Sequence, residues 1–317
     1  MSVGYYSLVP KVPFPDEPVS RALLGGAIDF AGLFPPASLP LPDVLAKYRA
    51  YRASDDAWAL GRLIVPADRL AELSVLASAD SPKPSRRTTK RPAGPPEDDH
   101  IAISALVGTG TAEDVDAIER FNREQTTARV ETVEVKAGSA GTALAVLAAV
   151  PPGWVIYLEV PTGESGDQVL DVAAARGARA KLRTGGTTPG AFPAPEALAH
   201  SLAAAEVRGV PFKATAGLHH PLRGTFPLTY VADAPSAPMY GYLNLALAAL
   251  LAWSGRPAAS IEAALLEADP SALRIEAASL RWRDESFPWE ILRTMRTEFF
   301  HGFGSCSFRE PLDEWPL

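Results

Sequence analysis

Two lysines near the middle of the chain have the setting of reactive amines: Lys181 in Ala180-Lys181-Leu182-Arg183-Thr184-Gly185-Gly186 and Lys213 in Phe212-Lys213-Ala214-Thr215-Ala216-Gly217. Each lies in a strand-like run that ends in glycine. A lysine inside a buried strand loses hydration, which disfavours its charged form, and a second ammonium nearby lowers its pKa further. The result is a neutral amine nucleophile for a carbonyl carbon. His219 and His220 follow the second run directly. Their ordinary pKa near working pH suits general acid and base catalysis. With Glu159, Glu134 or His301 they also make an alternative ligand set for a divalent metal, although no spaced signature such as His-Glu-x-x-His is present.

The elements that must position these groups alternate along the chain. Strand candidates are Ala27 to Phe34, Ala59 to Val65, Ile101 to Val107, Val130 to Lys136, Val155 to Val160, Ala178 to Arg183, Pro211 to Ala216 and Gly302 to Phe308. Helical stretches separate them, among them Leu41 to Ala53, Ala112 to Glu124, Ala140 to Val150, Asp167 to Arg176 and Pro195 to Val207. Eight such units predict an α/β fold, a (β/α)8 TIM-type barrel forming a single domain over residues 1–317. Side chains two apart on a strand share a face. Thr132, Glu134 and Lys136 therefore share one, as do Tyr157 and Glu159, Lys181 and Arg183, and Lys213 and Thr215. The opposite parity holds Val133, Val135, Ile156, Leu158 and Leu182, which should face the helices. Charges at the carboxyl ends of strands mark the active-site end of a barrel.

Two segments exceed a minimal barrel. Ser81 to Asp99 carries five prolines with Lys83, Arg86, Arg87, Lys90 and Arg91, and reads as a flexible loop. Leu222 to Phe300 is far longer than one connection and reads as a helical insertion between the last two strands, either a cap or an interface in a homo-oligomer.

The residues resemble, in order, the deoxyribose-phosphate aldolase group of class I aldolases. Ile28-Asp29 followed by Leu33-Phe34-Pro35-Pro36 is similar to the family's opening segment. Lys181-Leu182-Arg183-Thr184-Gly185 is similar to its Schiff-base Lys-x-Ser-Thr-Gly run, and Lys213-Ala214-Thr215-Ala216-Gly217 to its second-lysine motif. Gly304-Ser305-Cys306-Ser307 looks like its Gly-x-Ser-Ser phosphate turn, and Glu159 like its fifth-strand glutamate. The resemblance implies a carbon–carbon lyase in which Lys181 attacks the carbonyl and Lys213 holds its pKa down. Glu134 is the nearest candidate for the family's fourth-strand acid. Arg183 replaces a small hydroxyl residue, and its guanidinium suits a bidentate grip on a carboxylate or phosphate. Thr184, Gly185, Gly217, Gly304, Ser305 and Ser307 complete the expected substrate-binding set. No cofactor is expected. A non-catalytic ligand-binding barrel is the further alternative.

Composition narrows the partners. The net charge of −7 and scattered basic residues offer no broad basic face for nucleic acid, which leaves a small anionic molecule. Met1 to Pro18 lacks the pattern of a signal peptide, and Tyr240 to Trp253 falls short of a span of ~20 residues, so no membrane partner and a cytoplasmic location are expected. The single Cys306 excludes an internal disulfide, and reads as a packed thiol because the sequence fixes no base beside it.

Overall fold

The computed structural model describes residues 18–79, 100–108 and 112–315. Seven strands come first: β1 (Ile28–Phe30), β2 (Leu60–Pro66), β3 (Ile101–Val107), β4 (Ala128–Lys136), β5 (Val155–Val160), β6 (Arg179–Arg183) and β7 (Phe212–Thr215). A hairpin of β8 (Gly224–Pro227) and β9 (Ser236–Met239), and a small sheet of β10 (Leu273–Ile275), β11 (Ser279–Trp282) and β12 (Glu285–Pro288), precede β13 (Phe300–Ser305). Strands β1 to β7 and β13 close into one parallel barrel, with β13 between β7 and β1. The (β/α)8 expectation therefore holds. Its first strand is shorter than Ala27 to Phe34 because the chain turns after Phe30, towards Pro35 and Pro36, which have no N–H for a ladder.

Parity along the strands holds as well. Val133, Val135, Ile156, Leu158 and Leu182 are buried in the main core, while Glu134, Lys181 and Lys213 are buried on the other face. Helices 112–124, 140–149, 167–176 and 195–207 follow β3 to β6 in turn.

The segment from Leu222 to Phe300 is only partly helical, since it carries β8 to β12 as well as helices 242–253, 258–266 and 289–298. Helix 242–253 is apolar on all sides and buried from Tyr242 to Ala252, packed against helices 195–207 and 258–266 and strand β13. Tyr242 and Asn244 are satisfied within the chain: Tyr242 Oη donates to the Pro311 carbonyl, and Asn244 Nδ2 to those of Ala264 and Glu267. The apolar surface of this helix is thus covered within the chain, against its neighbouring helices and β13. Ser81 to Asp99 lies outside the described residues, as does nearly all of Met1 to Pro18. Among the described residues no helix is long and apolar enough to cross a membrane.

Candidate active site

Strand register brings the two lysines together. Lys181 and Lys213 are direct neighbours across the β6–β7 ladder, and Glu159 is the neighbour of Lys181 across β5–β6. Their side chains enter the barrel, where one carboxylate joins them. Glu134 Oε1 accepts from Lys213 Nζ at 2.6 Å, and Glu134 Oε2 pairs with Lys181 Nζ at 2.9 Å. Glu159 Oε2 holds Lys181 Nζ from its other side at 2.9 Å, and Glu159 Oε1 meets Arg183 Nε at 3.3 Å. Lys213 Nζ also donates to Asp29 Oδ2, and lies 5.5 Å from the centre of the Tyr157 ring. The result is a chain of alternating charge, Asp29, Lys213, Glu134, Lys181, Glu159 and Arg183, in which three acids balance three bases.

Such charges persist in a barrel interior only when fully paired and hydrogen-bonded. Glu134, Lys181 and Lys213 are 1%, 4% and 3% exposed. The Ser104 hydroxyl donates to Glu134 Oε1 at 2.7 Å and accepts from Thr132 at 2.8 Å. Burial pushes the Glu134 carboxyl up, but Lys181, Lys213 and these hydrogen bonds outweigh it and hold it well below the carboxylate range. Glu159 is lowered too, burial being overcome by Lys181 and then Arg183. Burial pulls Lys213 down, yet Asp29 and Glu134 reverse it and raise the ammonium above its ordinary value. Its two carboxylate partners therefore favour the charged form of Lys213.

The lysines differ in access. A cavity of about 1120 Å³ opens at the carboxyl ends of the strands, and Lys181, Glu134, Glu159, Arg183 and Lys136 line it. Lys213 does not. The Arg183 side chain is 46% exposed and Lys136 stands exposed on the same lining, so two cations face the opening beside Lys181.

Beyond β7 the chain makes a left-handed turn. Ala216 has φ +68° and Gly217 φ +78°, and a side chain at Gly217 would meet Phe192 at 3.0 Å and Gly185 at 3.2 Å. Thr184 Oγ1 secures the turn by donating to the Ala216 carbonyl at 2.6 Å. Thr184 and Gly185 therefore join two loops and do not line the cavity, whereas Gly186, Thr187, Gly217 and Gly304 do. Ser305 is buried, with its hydroxyl accepting from Ser307 N, and Ser307 Oγ in turn accepts from Glu310 N at 3.2 Å.

The turn delivers both histidines to the cavity lining. His219 Nδ1 pairs with Glu310 Oε2 at 2.6 Å, and His220 Nδ1 with Glu314 Oε1 at 2.8 Å while its ring stacks on Phe226. Burial opposes the charge on His219, but its contacts with Cys306 and Glu310 raise it to about 10. His301 is elsewhere. It is the second residue of β13, at the amino end of the barrel, where Nδ1 meets Tyr157 Oη at 2.9 Å and Nε2 the Thr297 carbonyl at 3.1 Å; burial lowers it to about 4. The metal set joining His219, His220 and His301 is thus split between opposite ends of the barrel. Among the described residues no three His, Cys, Asp or Glu side chains converge on one metal position.

Sequence reasoning missed Asp29 as the partner of Lys213, and Ser104 as the donor to Glu134. The signal for the first was an acid within the apolar run Ala27-Ile28-Asp29-Phe30. Comparison with known proteins finds no family model and no curated protein that matches the chain.

Proposed function

We propose that the chain is an aldolase-like carbon–carbon lyase in which Lys181 forms a Schiff base with a small carbonyl substrate bearing a carboxylate or phosphate. The observation that carries this reading is the inequality of the two lysines: Lys181 reaches the cavity, while Lys213 is sealed below it on the other oxygen of the same glutamate. The resemblance to the deoxyribose-phosphate aldolase group points the same way.

In the proposed reaction Lys181 gives up a proton to the Glu159 carboxylate, and its lone pair adds to the carbonyl carbon. Glu159 returns that proton to the carbinolamine hydroxyl, which leaves as water, giving an iminium and restoring the carboxylate. Removal of the β-hydroxyl proton by Glu159 then breaks the neighbouring carbon–carbon bond, and the electron pair moves into the iminium as an enamine. Protonation of the enamine and hydrolysis return the second product and the free amine. Lys213 keeps Glu134 ionised and fixed, and Arg183 and Lys136 supply charge for the anionic end of the substrate.

Enamine formation is tested by exchange in D2O. Small carboxylated and phosphorylated aldehydes and ketones are incubated with the protein, and deuterium incorporation next to the carbonyl is followed by NMR. We expect exchange with at least one such compound, abolished in Lys181→Ala. No exchange across the series, or equal exchange in the variant, contradicts the proposal.

A further inference from the structure

The same cavity holds a second reactive arrangement, centred on the only cysteine. Cys306 Sγ lies 3.9 Å from His219 Nε2, the longer reach expected of sulfur, and His219 Nδ1 is held by Glu310 Oε2 at 2.6 Å. Nucleophile, base and orienting carboxylate thus stand in line. Each is placed by a separate device. Cys306 directly follows β13, His219 follows the left-handed turn after β7, and Glu310 opens helix 310–313 with its N–H bonded to Ser307 Oγ. Tyr230, from the loop joining β8 and β9, brings Oη to 3.5 Å from Cys306 Sγ. Cys306, His219, Glu310 and Tyr230 all line the cavity, so the thiol faces the space that a substrate would fill. The adjacent His220 is held by Glu314.

We infer that Cys306, His219 and Glu310 form a thiol-based acyl-transfer site that accepts an activated acyl group, an ester or thioester of a small acid. The Cys306 sulfur adds to the acyl carbon with the proton already held on His219 Nε2, and the bond to the leaving oxygen or sulfur breaks as His219 gives that proton to it, which leaves the imidazole neutral. Water, deprotonated by the now neutral His219, then cleaves the acyl-enzyme thioester to a free acid and restores the sulfur beside the protonated imidazole. Glu310 holds the imidazole in the orientation that points Nε2 at sulfur, and the Tyr230 hydroxyl is a donor for charge developing at the site. Burial, with Cys306 and Glu310 nearby, raises the Tyr230 pKa and keeps that donor protonated. This site uses none of the amine chemistry of Lys181, and each can fail without the other.

The test uses p-nitrophenyl acetate at neutral pH, following p-nitrophenol release and mapping the acetyl group in acid-quenched protein by mass spectrometry. We expect acetyl on Cys306, formed faster than on N-acetylcysteine under the same conditions. Release should fall about tenfold or more in Cys306→Ala, and Cys306 acetylation by a similar factor in His219→Asn and in the less disruptive Glu310→Gln. Circular dichroism establishes that each variant is folded. Acetylation of Cys306 no faster than that of N-acetylcysteine overturns the inference, whatever the variants do. Acetylation at an undiminished rate in folded Glu310→Gln and His219→Asn overturns it equally.

Discussion

Glu134 is the residue on which the proposed amine chemistry turns. Each of its oxygens binds a lysine Nζ, and removing its charge leaves Lys181 and Lys213 facing each other without the group that separates them. A buried ion pair broken from one side costs about 3–5 kcal/mol. Glu134→Gln should therefore lower the unfolding free energy by roughly that amount, measured in urea; a loss below about 1 kcal/mol, typical of exposed pairs, would contradict the burial argument. The pH dependence has a definite sign. The folded pKa values of Glu134 and Glu159 lie below the ordinary 4.5, so their contribution is present above that pH and is lost as pH falls through the folded values. Lys213 is raised above 10.5, so its contribution is complete below that pH and is lost as pH rises through the folded value. Acid titration of stability should accordingly be shallower in Glu134→Gln than in the wild type, and parallel curves would contradict it.

The turn after β7 shows why an element can be read from sequence while its exit cannot. Phe212 to Thr215 alternates as a strand should, and the following glycine marks an end. That Ala216 also adopts a left-handed conformation follows from the packing of Gly217 against Gly185 and Phe192, contacts between loops that no local pattern encodes. Left-handed backbone favours glycine over alanine. Ala216→Gly should stabilise the fold by about 1 kcal/mol, and Gly217→Ala should destabilise it by more, both measured by thermal unfolding. Stabilisation by Gly217→Ala would contradict this account of the turn. The same limit explains Glu310, whose bond to His219 spans 91 residues of sequence, and Cys306, which meets His219 only through closure of the barrel.

The barrel as a whole was legible because two periodicities reinforce each other. Alternation along β4 to β7 placed Glu134, Glu159, Lys181 and Lys213 on one side, and the strand count implied that this side is an interior. Asp29 was not legible as the lysine partner, because β1 is three residues long and reaches β7 only through β13. Nor did sequence distinguish a helix facing a partner from one covered within the chain, as 242–253 is, since both read as uniformly apolar. Closure makes the two lysines unequal, and on that inequality the proposed function rests. It is tested most directly by treating the protein with small aldehydes and keto acids under borohydride reduction and mapping the modified lysine by mass spectrometry. We expect a stable secondary amine on Lys181 and none on Lys213. Adduct on Lys213, or Lys181 left unmodified by every carbonyl compound tried, would contradict the account.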